Sequence, residues 1–412
     1  MSDTKQFFTL KPVQEGLDLL FQAIKPTDAS EMIATVDALG RILAASPQSP
    51  MNLPAFDRSA MDGYAVRAAD TFGASDALPA YLTLNGQVKM GEVPQFTVST
   101  GQAADIHTGA MIPDGADAVV MIERTQAIDN NEIEVLAPVA EGENIIRLGE
   151  DIQQGSETLP IGHIMRPQDI GGLLAVGITE ITVQKRLKIA ILSGGDELID
   201  AHQNPEIGQI RDINSHMLAA LCQQAGADVM RLGIAADTFE SLYTLARHGF
   251  DQCDMLIISA GSSVSVRDLT SEVIASLGQP GIIQHGLAVK PGKPTILAAC
   301  DAKAVIGLPG NPVSAMLVAR QIILPIMHFL TGQALRPIST IAATLTQNIA
   351  STTGREDSVP VRLHPSDEGY HAEPIWGKSN LIYTLLRADG LVHVPLNMSG
   401  YTAGTLVKVI NF

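Results

Sequence analysis

Apolar residues recur at helical spacing near the start of the chain: Val13, Leu17, Leu20, Phe21 and Ile24 fall on one face of a helix over 12–24. A second periodic stretch, 29–45, predicts another helix that stops at Ser46-Pro47-Gln48-Ser49-Pro50. From Met51 to about Pro138 short runs of Val, Ile and Thr alternate with Gly, Pro, Asn and Asp turns, which predicts a β-rich unit. Residues 145–183 mix turns with a helix over 168–176. The clearest patterning lies between Leu187 and Leu330. Buried strands are expected over 187–193, 228–234, 254–259, 295–300 and 304–308, alternating with helices over 214–225, 238–248, 269–277 and 312–330. That alternation predicts a mostly parallel sheet covered on both faces. Residues 338–412 return to short Thr- and Val-rich strands.

Length and composition narrow the picture. A chain of 412 residues is too long for one hydrophobic core, so two to four domains are expected. With 46% hydrophobic and 17% charged residues it is composed for globular folding. A formal net charge of −17 argues against a duty on nucleic acid or on an anionic membrane. Any anionic ligand must therefore be captured locally, by a few fixed cations and backbone amides. Cys222, Cys253 and Cys300 are widely spaced and odd in number, so reduced thiols are expected rather than a zinc site or a disulfide framework. The first ten residues lack the basic-then-apolar pattern of a signal peptide. The apolar stretch around Met316 to Leu330 contains Arg320, Gln321 and Pro325 and is expected to fall short of a membrane span. A soluble, cytoplasmic protein is the expectation.

In doubly wound sheets ligands sit beyond the C-terminal ends of the strands, and three glycine-bearing segments fall there. In Ser193-Gly194-Gly195-Asp196-Glu197, two glycines let amides approach a phosphate, although a plain strand-to-helix turn explains the segment equally well. The run from Ser259 to Asp268 offers Ser263, Ser265, Arg267 and Asp268, with Asp268 readable either as a site residue or as a helix N-cap. In Leu308-Pro309-Gly310-Asn311-Pro312-Val313-Ser314, Asn311 fits a cap and Pro312 a first helical position. The free amides there make an anion site, with Ser314 adding a hydroxyl. Lys290-Pro291-Gly292-Lys293-Pro294 holds two lysines at a defined separation, suiting an oxyanion pocket or, equally, a solvated turn. In the β-rich unit, Asp62-Gly63 reads as a tight hairpin. His107-Thr108-Gly109 and Gly149-Glu150-Asp151 read as polar turns, and Asp237 with Glu240 as a capping box.

Taken in order, Met61-Asp62-Gly63-Tyr64-Ala65, Thr108-Gly109, Gly149-Glu150-Asp151, Gly195-Asp196-Glu197-Leu198, Lys290-Pro-Gly-Lys293-Pro294 and Gly307-Leu-Pro-Gly-Asn-Pro-Val-Ser314 resemble the molybdopterin molybdenumtransferase family, the bacterial MoeA type also found as the gephyrin E domain. The resemblance implies an α/β multidomain fold. A discontinuous elongated domain would comprise 1–50 and 141–185, with a β-rich domain, 51–140, inserted in it. A doubly wound α/β molybdopterin-binding domain, 186–335, and a β-barrel-like C-terminal domain, 336–412, would follow. It also implies a homodimer with composite active sites. The implied reaction takes adenylylated molybdopterin and molybdate, releases AMP, and leaves molybdenum on the dithiolene.

By this resemblance Lys290, Lys293, Ser314 and Arg355 hold the oxyanion. Gly194, Gly195, Glu197, Ser263, Ser265, Gly310, Asn311 and Thr108 are the further substrate contacts. Asp62 and Asp268 are the catalytic carboxylates, and with Asp151 the candidate ligands of Mg²⁺. Asp196, Glu197 and Asp237 stand behind them as further metal candidates. One departure is visible. The family's Gly-Gly-Val-Ser-Val-Gly before the aspartate here reads Gly261-Ser-Ser-Val-Ser-Val-Arg267. Alternatives to metal insertion are a molybdopterin adenylyltransferase and a non-catalytic scaffold. An adenylyltransferase that delivers the substrate, and proteins that accept the finished cofactor, are the partners such a reaction implies.

Overall fold

Alternation along two central strands sets the layers of the molecule. The structure, a computed structural model, describes residues 9–129, 131–261, 264–334 and 337–412, with the side chains of 264–267 outside the description. In β1 (Lys188–Gly194), Ile189 and Ile191 face one apolar layer while Ala190 and Leu192 face the other. A strand buried on both faces needs helices on both sides. One side is covered by α1 (Val13–Ala23), α3 (Asn214–Gln224) and α6 (Pro312–Leu330). The other is covered by α4 (Phe239–Gln252) and α5 (Val264–Ala275). Between α1 and α3 in sequence lies α2 (Pro167–Ala175), which packs elsewhere with Ala38, Leu43 and Met165.

The remaining strands of this sheet are β2 (Asp228–Ala235), β3 (Met255–Ala260), β4 (Pro280–His285), β5 (Ile296–Cys300) and β6 (Lys303–Pro309). They run in the order β2-β1-β3-β6-β5-β4. Pairings β1–β2, β1–β3 and β3–β6 are parallel, while β5 and β4 run antiparallel at the far edge. The chain leaves β1 toward β2 on one side and returns to β3 on the other. That reversal opens a crevice at the C-terminal ends of β1 and β3, the place where such sheets bind ligands. The α1 helix, which the sequence groups with the first 50 residues, packs on this sheet, with Phe21 stacked on Phe329 at 4.4 Å.

Of the other β-structures among the described residues, three bear on the site. Ser30–Ala34 pairs antiparallel with Glu180–Gln184, and bridges Leu43↔Val183 and Leu53↔Ile152 tie the two chain segments together. A six-stranded sheet contains Gly63–Val66 and Gln102–Ile106. In the C-terminal part, Glu356–Ser366 pairs with both Gly369–Pro374 and Gly390–Val394, which closes that sheet into a barrel. The α/β multidomain fold expected from the sequence is therefore present.

Four readings need correction. Residues 29–45 form a strand and a 3-10 turn, not a helix, because Glu180–Gln184 supplies a strand partner far away in sequence. Asp62-Gly63 is not a hairpin tip: Gly63 opens a central strand at φ +157, where an added Cβ would lie 2.0 Å from the Val120 carbonyl oxygen. The cap of α4 is Thr238, whose Oγ1 accepts from the Ser241 amide at 3.3 Å, so Asp237 is released from that role. Lastly, α6 is long and apolar enough to span a bilayer, with mean hydropathy 1.7. Val318, Ile322, Ile323 and Ile326 are nonetheless buried in the sheet's apolar layer, which makes it a core helix.

Candidate functional site at the strand ends

Beyond β1, Gly194 and Gly195 are buried and the chain turns sharply. Gly195 has φ +153, a backbone conformation that favours glycine, while the Glu197 carboxylate 2.7 Å from where a Cβ would stand is the mobile end of an exposed side chain. Asp196 and Glu197 project to solvent from this turn. The Asp237 amide donates to Asp196 Oδ1 at 3.0 Å, bringing the β2 exit beside the β1 exit. Burial, reinforced by the negative charges of Asp196 and Glu197, holds the Asp237 carboxyl above the usual aspartate range. Its Oδ1 is buried without a partner among the described residues.

The β3 and β6 exits touch each other. A Cβ on Gly310 would stand 2.9 Å from the Ala260 carbonyl oxygen, so only glycine lets the two loops meet this closely. A cleft of about 280 Å³ opens beside them, lined by Ala260, Gly261, Thr270, Pro294 and Pro309 among others. Asn311 caps α6 through its backbone position, with Pro312 as the first helical residue. Its side chain does not accept from the first turn. Instead Nδ2 donates to Ser379 Oγ at 3.0 Å, and the Val313 amide donates to the Ser379 carbonyl. Ser314 is buried in that first turn. Asp268 is exposed and lies within α5, which begins at Val264, so the N-cap reading falls away. Ser263 lies outside the described residues, and so does the side chain of Ser265.

Cations arrive from a neighbouring strand pair. Val289–Lys290 runs parallel to Glu356–Asp357, placing Lys290 opposite Asp357. Asp357 is 3% exposed; Arg355 Nε donates to its Oδ1 at 2.9 Å, and Lys290 Nζ lies 3.8 Å from its Oδ2. One buried carboxylate thus fixes two partly exposed cations side by side. Sequence reasoning missed Asp357, although a signal existed: a carboxylate two residues after Arg355 is within reach of its guanidinium. Lys293 is exposed, and Gly292 packs against Val318 of α6 so closely that a Cβ would meet that side chain at 2.0 Å.

Asp62 and Thr108 come together elsewhere, on the six-stranded sheet. The Thr108 amide and Oγ1 donate to Asp62 Oδ1 at 2.8 and 3.1 Å. These bonds, the amide's foremost, hold the Asp62 carboxyl below the usual aspartate range, with His107 Nδ1 3.7 Å away adding to the effect. No hydrogen bond or ion pair among the described residues joins Asp62 or Thr108 to the strand-end loops. Nor do the described residues gather three acidic, His or Cys side chains into a metal-sized cluster, so Asp62, Asp151 and Asp268 are not assembled within one chain. A larger cleft, about 390 Å³, lies at the opposite end of the sheet near Arg41, Lys185 and Arg186. It is lined also by the C-terminal ends of α3 and α6, the negative ends of their dipoles, which disfavour an anion.

Family models match the chain in three consecutive parts. They are the MoeA N-terminal region (domain I and II) over residues 11–177, a probable molybdopterin binding domain over 190–328, and the MoeA C-terminal region (domain IV) over 342–412. A protein of Nostoc sp. named molybdopterin molybdenumtransferase is 32% identical over 97% of this chain and 93% of its own. The chain belongs to the MoeA family. A Haemophilus influenzae protein of the same name is 35% identical over 82% of each chain. The crystal structure of a molybdopterin biosynthesis MoeA protein from Pyrococcus horikoshii OT3 superposes with a TM-score of 0.85 at 30% identity, covering 98% of this chain and 100% of that one.

Proposed function

We propose that this MoeA-family chain is a transferase of molybdenum cofactor biosynthesis that inserts molybdenum from molybdate into adenylylated molybdopterin and releases AMP. What carries the reading is the convergence of the β1, β3 and β6 exits, with glycines where they meet, together with the cation pair on Asp357, which we assign to the same site. In a chain of net charge −17, such a concentration of donors has no role in folding alone. At the start of α6, where Pro312 has no N–H and the Val313 amide is engaged by Ser379, the amide and hydroxyl of Ser314 hold a phosphate oxygen. Lys290 and Lys293, with Arg355, hold the molybdate dianion. Gly194 and Gly195 let the backbone approach the pterin side, and Glu197 accepts from its ring N–H groups. Full-length relatives named as molybdenumtransferases favour this over the adenylyltransferase and scaffold alternatives.

We assign Mg²⁺ to Asp237, whose buried oxygen has no partner among the described residues; Asp196 and Glu197 leave the neighbouring strand end but do not close a metal-sized cluster with it. A hard cation with few carboxylates and several waters is the usual arrangement for this metal. Bound there, it would neutralise charge on the phosphate link as AMP leaves. Asp62, held ionised by Thr108, acts from outside this crevice. We place it in the site of a second copy, so that each active site of a homodimer is completed by the partner. Met32, Val36 and Leu39, exposed at 67%, 62% and 60%, supply apolar surface for such an interface. The buried thiols of Cys222, Cys253 and Cys300, pushed by burial up to about 12, 11 and 11, suit a reducing cytoplasm.

The test is AMP release from adenylylated molybdopterin with Mg²⁺, with and without molybdate. Molybdate-dependent release is expected from the native chain. Lys290→Ala is expected to lower it by about 100-fold, the scale of removing one charged donor from a preorganised site. A folded native chain that binds the substrate and releases no AMP would sink the enzymatic reading.

A further inference from the structure

Asn214 opens α3, yet its side chain reaches across the sheet edge instead of serving its own helix. Its Nδ2 donates to Ser259 Oγ at 3.0 Å and to the Gly310 carbonyl oxygen at 2.8 Å. Asn214 is 8% exposed and Ser259 3% exposed, so both bonds are shielded from water. A carbonyl can only accept, which fixes the amide: the NH₂ group must face Gly310. Three elements are thereby joined at one point, the start of α3, the end of β3 and the turn that leads into α6.

The turn has no slack on its other side, since Gly310 already lies against the Ala260 carbonyl. Ser193 and Ser259 are partners across the β1/β3 pairing, directly at the crevice. Both Ser193 Oγ and Asn214 Oδ1 are buried without partners among the described residues. A core whose only task was cohesion would be cheaper with apolar side chains of the same shape at these positions. We infer that Asn214 is a positioning residue: it sets the place of the α6 N-terminus against the crevice, and so the grip on the substrate's phosphate. The inference rests on the functional reading above and adds a residue which neither the sequence nor the family resemblance assigned.

Asn214→Asp keeps the shape, removes both donors and sets an acceptor against the Gly310 carbonyl. Ser259→Ala removes one partner and leaves the Gly310 bond. Both are compared with the native chain by kcat and KM of molybdate-dependent AMP release, well below their melting temperatures. Asn214→Asp is expected to raise the KM for adenylylated molybdopterin about 10-fold or more with some loss of kcat, and Ser259→Ala to change either within about threefold. Equal, small kinetic changes in the two variants, with lowered melting temperatures, would make the network purely structural and overturn the inference. If Asn214→Asp does not fold, Gly310→Ala displaces the same turn from the Ala260 side and must raise KM likewise; an unchanged KM overturns it too. Should the native chain release no AMP, the functional reading fails and not this one. Binding of adenylylated molybdopterin by titration calorimetry then makes the comparison: about 10-fold weakening by Asn214→Asp supports it, and equal affinity overturns it.

Discussion

Two carboxylates, Asp62 and Asp237, stand in opposite environments. Asp62 sits on an exposed turn, held below the usual aspartate range by the Thr108 amide and hydroxyl. Asp237 is half-buried at the strand ends and is pushed upward by burial and by Asp196 and Glu197. Environments that push two like groups apart in this way separate their roles. The strand-end region is a cradle built inward, with glycines where loops meet and a buried carboxylate under its cations. The Asp62 region presents an ionised group outward with nothing of its own to act on. In the dimer proposed above, the cradle of a second copy, with its cations, would be the surface that Asp62 faces.

Mixing variants is the sharpest way to break that comparison. Asp62→Asn and Lys290→Ala are each expected to be nearly inactive. In dimers reassembled from equal amounts, half the molecules are mixed and each mixed dimer has one intact composite site, so about a quarter of native AMP release should return. Recovery near zero, in mixtures shown to exchange subunits, would place both residues in one chain's site and end the two-copy reading.

Asp357→Asn probes the cradle itself. Lys290 and Arg355 remain, but the buried charge that spaces them is gone. Because both cations keep access to water, the expected loss is about 1–2 kcal/mol, less than for a fully buried pair. Chemical denaturation measures it. The molybdate dependence of AMP release should weaken in parallel, because the cations no longer share one fixed spacing. A variant with native stability and native molybdate response would reduce Asp357 to an incidental neighbour.

The cradle was largely legible in the sequence and its foundations were not. Strand–helix alternation from Leu187 to Leu330 located the sheet because β1, β3, β5 and β6 are buried on both faces and read as near-continuous apolar runs, whereas the half-exposed edge strand β4 went unread. The glycines of the three loops lay where strand ends put them. Asp357, Ser379 and the Asn214 bonds escaped because they join elements far apart in sequence, and spacing carries no record of such contacts. The misread stretch 29–45 failed for the same reason: its strand partner lies near residue 182. Asp62-Gly63 looked like a turn because its glycine is there for a neighbouring strand's carbonyl, not for the chain's own reversal.

The smallest effect tests the upward shift of Asp237. Its folded-state pKa lies above the unfolded value, so the folded chain holds that proton more tightly. Stability from this group is therefore full below the unfolded value of 3.8 and is lost as pH rises through the folded value. At neutral pH the ionised carboxylate is a burden, and Asp237→Asn should raise stability there by up to about 1 kcal/mol, limited by solvent screening of a half-exposed group. The gain should vanish below the unfolded value, where both residues are neutral. The same substitution should raise the Mg²⁺ concentration needed for AMP release, since it removes the carboxylate with the unpartnered oxygen. Melting curves across pH, run beside a Mg²⁺ titration, decide it. A variant less stable at neutral pH would show that Asp237 is a structural anchor, and the contrast with Asp62 would lose its meaning.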